Sequence, residues 1–169
     1  MNMGQALESD FSGVSGEGDQ YLTFILAGEE YGIDILRVQE IRGWTKTTPI
    51  PNAPHYLKGV INLRGTIVPI VDLRERFGLE RLDYGPTTVV IVVRVQGESR
   101  DRDMGIVVDA VSEVYNFNAK DRQAPPDLGG AIDDQFVQGL ATVEEKMIIL
   151  LDIDRLLNTG ALAAAEQAD

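Results

Sequence analysis

The chain carries one pattern twice, and this doubling limits what it can fold into. Gly32-Ile33-Asp34-Ile35-Leu36-Arg37-Val38-Gln39-Glu40-Ile41 aligns with Gly105-Ile106-Val107-Val108-Asp109-Ala110-Val111-Ser112-Glu113-Val114 at an offset of 105 − 32 = 73 residues. Further on, Gly59 aligns with Gly139, and Pro69-Ile70-Val71-Asp72-Leu73 with Ile149-Leu150-Leu151-Asp152-Ile153, at 139 − 59 = 80 residues. Solenoid units run about 20 to 50 residues, so this period does not describe an array. It describes two small, similar lobes with similar surfaces and a groove between them.

The copies are written in short β-type segments. Tyr21-Leu22-Thr23-Phe24-Ile25-Leu26 has β-branched and aromatic content, turns at Ala27-Gly28 and returns through Tyr31-Gly32-Ile33-Asp34. Ile35, Val38 and Ile41 fit a helical stripe over too few residues for a helix, which predicts a helical turn running into a short strand. Pro49, Pro51 and Pro54 impose an extended loop. Strands at 59–64 and 66–72 meet at Gly65, and Pro69 places the second at an edge, bulge or crossing point. A short helix at 73–77 stops at Gly78, and 80–87 reads as a linker. The second copy predicts strands at 88–95, 104–109, 111–115, 136–141 and 147–152. A charged hairpin loop is expected at 96–103, a long connection over 118–134 and a short helix at 153–157.

About five short strands per copy predict a mainly β fold, each lobe a small barrel or sandwich. Lobes of this size are marginal alone, so the two are expected to share an apolar interface. The expected boundaries are a flexible tail at 1–19, one domain at 20–158 and a helical extension or tail at 159–169. Within the domain the first lobe spans about 20–86 and the second about 87–158, the terminal strands or helix being free to cross between them.

The net charge is 15 − 27 = −12, which argues against binding a nucleic-acid backbone. There is no cysteine, hence no disulfide and no thiolate nucleophile or ligand. The longest apolar runs, 89–93 and 147–151, fall far short of the roughly 20 residues of a membrane helix. Residues 1–20 lack the basic start and apolar core of a signal peptide, so a cytoplasmic location is expected.

Catalytic patterns are sparse. The single histidine, His55, has no nearby set of metal ligands or nucleophile and orienting group. Asp72 and Asp152 hold matching places before the two short helices and read as helix caps. No phosphate-loop or dinucleotide fingerprint occurs in a strand–helix context. What stands out is Glu40 between Val38 and Ile41, with Asn62 and Arg64 in the 59–65 segment. A Glu–Arg pair on neighbouring strands is either a surface ion pair worth about 0–1 kcal/mol or a recognition pair beside an apolar groove.

Residues 29–43, Glu-Glu-Tyr-Gly-Ile-Asp-Ile-Leu-Arg-Val-Gln-Glu-Ile-Arg-Gly, resemble the signature of the CheW family of chemotaxis coupling proteins. So do residues 58–74, Lys-Gly-Val-Ile-Asn-Leu-Arg-Gly-Thr-Ile-Val-Pro-Ile-Val-Asp-Leu-Arg, and the resemblance extends over about 20–158. It implies two SH3-like five-stranded β-barrels with a hydrophobic interface, no enzymatic activity and no cofactor or metal. It implies an adaptor between the cytoplasmic tips of methyl-accepting chemoreceptors and the regulatory domain of the histidine kinase CheA. The chain would then be recruited to membrane-associated arrays without inserting in the membrane. Glu40 and Arg64 match the family's paired charges for receptor binding, with Val38, Gly59 and Asn62 as their neighbours. Val111 and Val114 match second-lobe positions for kinase or partner contact. The alternatives are a coupling protein of another chemosensory pathway, such as surface motility, and a small acidic hydrolase or ligand-binding barrel.

Overall fold

The computed structural model describes residues 19–97, 99–124 and 134–158. The tail expected before Asp19, the central part of the 118–134 connection and the stretch from 159 onward lie outside the described residues. The strands are β1 Asp19–Leu26, β2 Glu29–Asp34, β3 Val38–Gly43, β4 Leu57–Leu63, β5 Thr66–Asp72 and β6 Val89–Gln96. They continue as β7 Asp101–Val108, β8 Ala110–Phe117, β9 Arg122–Gln123, β10 Val137–Val143 and β11 Lys146–Leu151. Among the described residues the two α-helices are short, α1 Leu73–Arg76 and α2 Ile153–Leu157. The helical turn expected before β3 is a 3-10 helix, Ile35–Arg37.

The strands form two sheets, in the orders β3-β6-β7-β5-β4 and β8-β1-β2-β11-β10-β9. The fold is mainly β with two lobes, as the doubling predicts. The sheets, however, do not follow the halves 20–86 and 87–158. The hairpin β1–β2 of the first copy lies in the sheet built from β8, β9, β10 and β11, while the hairpin β6–β7 of the second joins β3, β4 and β5. Each lobe is thus a hairpin from one copy inserted among strands of the other. An alternating apolar pattern identifies a strand and its buried face, but it carries no information on which sheet receives a hairpin.

The exchange explains why the motif begins with glycine. The hairpins enter through two parallel pairings, with Leu150 opposite Gly32 and Ile70 opposite Gly105. These are repeat-equivalent pairs, since 150 − 70 = 80 and 105 − 32 = 73. A Cβ on Gly32 would lie 3.1 Å from Leu150 Cδ2, and one on Gly105 2.6 Å from Ile70 Cδ1. The neighbouring strand's side chain fills the space a Cβ needs.

Three apolar clusters follow from this arrangement. Ile61, Leu63, Val68, Ile70, Val90, Val92 and Val107 fill the first lobe, and Tyr21, Phe117, Ala141, Ile148 and Leu150 fill the second. A larger cluster spans both sheets and includes Phe24, Ile33, Val71, Ile91, Val93, Ile106, Leu151 and Leu156. Strand β6 therefore buries Val90 and Val92 inside its lobe and Ile91 and Val93 between the lobes. That double burial is why residues 89–93 read as an unbroken apolar run rather than an alternation.

Asp72 and Asp152 cap α1 and α2, accepting from the Glu75 and Arg155 N–H groups at 3.3 and 3.1 Å. Two ion pairs tie the lobes together. Arg74 grips Asp109 bidentately at 2.8 and 2.9 Å, and the Ala27 N–H of the β1–β2 turn donates to the same carboxylate at 2.9 Å. Arg37 grips Asp154 at 2.8 and 2.7 Å, and the Gln96 N–H at the end of β6 donates to it at 2.8 Å. Burial opposes ionisation of each carboxylate, but the guanidinium and the N–H outweigh it and hold both groups below the ordinary range. The loop expected at 96–103 is shorter than its charge suggests. Gln96 pairs with Asp101 in the ladder, which leaves a tip of residues 97–100. Exposed charged side chains do not prevent the backbone from pairing, and Arg94 meets Asp103 across the strands at 2.6 Å.

Candidate docking site

Strands β3 and β4 are the two edges of the five-stranded sheet. Arg64, in the turn after β4, reaches Glu40 on β3 with Nη2 to Oε1 at 2.8 Å. The edges therefore meet, the sheet is curled, and the predicted Glu–Arg pair is a bridge across its seam. The Glu40 side chain is 27% exposed and that of Arg64 72% exposed, so the acid is set into the seam and the base stands over it.

Local geometry holds Arg64 there. The residue has φ of +54° and is followed by Gly65 at +88°, a two-residue turn with both positions left-handed. Glycine suits the second position at no steric cost, and Arg64 carries the strain. Asn62 supports the turn: its Oδ1 accepts from the Gly65 N–H at 2.8 Å. The Asn62 carboxamide is thus spent on positioning Arg64.

Gly59 has a different task. Its φ is +130°, and a Cβ there would lie 2.2 Å from the Thr48 carbonyl oxygen. The chain at Thr48 crosses β4 at this point, exchanging two backbone hydrogen bonds of 2.9 Å with Val60. The Thr47 hydroxyl adds a bond to the Lys58 carbonyl at 2.7 Å. The equivalent Gly139 faces the Gln123 carbonyl of β9, 2.9 Å from an added Cβ. The glycines of the repeat mark where a second strap passes over the strand.

The remaining expected residues sit apart from the charged bridge. Val38 begins β3, just before a register shift between Val38 and Glu40, and is half-buried against the cluster shared by the lobes. Val111 and Val114 lie on β8, the edge of the other sheet, and pack on that same cluster. The structure brings together Glu40, Arg64 and Asn62, adds Gly59 as their scaffold, and connects the three valines only through the common core.

Other surface residues emerge from the coordinates. Arg42 stands two places after Glu40, its Nη1 3.5 Å from Glu40 Oε2. Its position on the same strand face was readable from period-two spacing. Leu36 is 73% exposed, Ile67 58% and Met147 56%. Ile67 and Met147 are repeat partners, since 147 − 67 = 80, so each lobe presents one bare apolar residue at the same place. Among the described residues no helix is long and apolar enough to cross a membrane.

Two sheets that exchange hairpins, with a charged bridge over the seam of one and bare apolar residues at matching points, fit a protein-docking module. A model of the CheW-like domain matches residues 20–161. Chemotaxis protein CheW of Klebsiella aerogenes is 44% identical over 149 residues, covering 88% of this chain and 87% of that protein. Chemotaxis protein CheW of Rhizobium meliloti is 36% identical over 148 residues, covering 88% and 93%. The crystal structure of the scaffolding protein TtCheW from Thermoanaerobacter tengcongensis superposes with a TM-score of 0.77 at 35% identity, covering 85% of this chain and 95% of that one. The chain belongs to the CheW family of chemotaxis scaffold and adaptor proteins.

Proposed function

We propose that the chain is a non-catalytic coupler that joins the cytoplasmic tips of methyl-accepting chemoreceptors to the regulatory domain of the kinase CheA in chemosensory arrays. The observation that carries the receptor half is the Glu40–Arg64 bridge over the seam, with Val38 at the head of the same strand. A receptor helix lays its apolar face along the seam, and the Arg64 head, already paired and raised above the surface, fixes its register. Val111 and Val114, on the opposite sheet, belong to the kinase-facing side. The adaptor adds no chemistry, so signal passes as a shift in the populations of the assembled states. The location is cytoplasmic, at receptor arrays. Co-sedimentation of Arg64→His and Glu40→Ala with receptor cytoplasmic fragments tests the assignment. Weaker receptor binding with unchanged melting supports it, and unchanged binding in both variants removes it.

A further inference from the structure

The geometry points to Leu36 as the apolar anchor of the proposed receptor-docking face, acting with Arg42 and Arg64 to select a helix that carries both an apolar and an acidic residue. The inference rests on the receptor reading above and names the chemistry that its partner must supply.

Leu36 is the most exposed of the large apolar side chains among the described residues, yet its backbone is pinned on both sides. Its N–H donates to Asp34 Oδ1 at 2.9 Å, and Ile35 before it is buried. Arg37 after it is locked to Asp154 and donates to the Arg94 carbonyl at 3.1 Å. The Val38 N–H closes the 3-10 turn on the Ile35 carbonyl. A leucine held outward by a fixed turn loses little backbone freedom on docking, which favours a contact of high value per residue. The fold itself does not require leucine here. The repeat-equivalent position, 36 + 73 = 109, is an aspartate turned inward to Arg74.

The charge at the other end of the strand completes the argument. Glu40 faces two guanidinium groups, those of Arg64 and Arg42, so the seam carries one excess positive charge in a chain of net −12. The Arg42 Nε is buried and has no hydrogen-bond partner among the described residues. Such a seam favours a partner carboxylate and rejects a second cation. The 3-10 turn that carries Leu36 runs directly into the strand that carries Glu40 and Arg42, so the matching helix presents an apolar residue and a Glu or Asp to this segment.

The full chain and its Leu36→Asp, Leu36→Met, Arg42→Gln and Arg64→His variants are titrated against a receptor cytoplasmic fragment displayed on vesicles, with the CheA regulatory domain as a parallel probe. Leu36→Asp is expected to weaken receptor binding about tenfold or more, and Leu36→Met to stay within about threefold. Arg42→Gln is expected to weaken it and to lose sensitivity to changing the fragment's tip carboxylates to amides. Kinase-domain binding and melting temperature stay unchanged, which separates docking from folding. Receptor binding unchanged by Leu36→Asp but weakened by Arg64→His overturns the inference and leaves the receptor reading standing. Receptor binding unchanged in both overturns the two together.

Discussion

Replacing Gly59 by alanine tests whether this residue serves the partner or the fold. The structure assigns it to the fold. At φ of +130° an L-residue is strained whatever the space, at a cost of about 1–3 kcal/mol. The new Cβ would also meet the Thr48 carbonyl oxygen at 2.2 Å, which is backbone and cannot rotate away. Residues 47–49 must lift, losing the two Thr48–Val60 hydrogen bonds and the Thr47–Lys58 bond. At about 1 kcal/mol for each of the three bonds, the loss totals roughly 4–6 kcal/mol once strain is included. For a domain of this size the melting temperature should fall by about 10–20 °C. Thermal unfolding followed by circular dichroism measures it, with receptor binding assayed well below the transition. The expected pattern is a large loss of stability in Gly59→Ala, with binding falling only in step with it. Arg64→His should give the opposite pattern, lost binding at constant stability. Gly59→Ala that melts like the parent chain while losing receptor binding would refute the argument and return Gly59 to the contact surface.

Acid titration should separate the paired and buried carboxylates by sign. Asp109 and Asp154 have lowered folded pKa values, so their stabilisation is present above the ordinary aspartate value of 3.8 and is lost as pH falls below it. Asp109→Asn and Asp154→Asn should flatten the acid limb of a stability–pH curve. Asp72 behaves oppositely: burial, against the hydrogen bonds from Tyr84 and Glu75, raises its folded pKa. Its contribution to stability declines as pH rises from 3.8 through the raised value, and Asp72→Asn should remove that decline. Ile67→Arg and Met147→Arg should leave melting within about 1 kcal/mol of the parent, because both side chains are exposed. Thermal unfolding of the two variants checks this, and a larger loss would refute the exposed placement of both side chains. Breaking the interlobe pair by Arg37→Asp should cost about 1–3 kcal/mol. The double exchange Arg37→Asp with Asp154→Arg should recover part of it, as a double-mutant cycle on chemical denaturation would measure.

The sequence disclosed the doubling, the strand–turn rhythm and both helix caps because each depends on near neighbours. Gly65 and Gly78 mark their turns by backbone freedom, and Asp72 and Asp152 mark helix starts by a side chain three residues from the N–H it accepts. The exchange of hairpins was not legible. Leu22, Phe24 and Leu26 would alternate in the same way in either sheet, and the deciding contacts, such as Gly32 beside Leu150, are 118 residues apart (150 − 32). The charged pair was legible as two residue types on neighbouring strands, since Glu40 and Arg64 interrupt apolar runs. The roles of its companions were not. That Asn62 serves the turn and Gly59 the Thr48 strap depends on a chain crossing that no local pattern encodes. Leu36 lies off the stripe of Ile35, Val38 and Ile41, but a leucine beside buried neighbours gives no local sign of how far it stands out.

The two copies share a frame but not a seam, and the difference assigns their work. Glu40 has its repeat partner in Glu113 (40 + 73 = 113), and Arg64 has its partner in Glu144 (64 + 80 = 144). In the second copy the turn thus brings an acid where the first brings a base. Glu113 accepts instead from the Tyr115 hydroxyl on its own strand, and the nearby Lys146 is engaged by Glu30 at 3.1 Å. No equivalent of the Arg64 bridge forms there among the described residues. Glu144 and Glu145 both occupy left-handed turn conformations, at φ of +49° and +68°, without the glycine that eases the first copy's turn. An acidic tip repels the carboxylate that the first seam attracts. On the proposed reading, a helix that docks on the first lobe through an acidic residue meets no equivalent seam on the second among the described residues. Since the lobes are locked by the Arg74–Asp109 and Arg37–Asp154 pairs, the bridged seam stands in fixed orientation to the opposite lobe. That polarity, absent from a perfect repeat, is what the proposed coupling of two different partners in a defined order requires of a doubled chain.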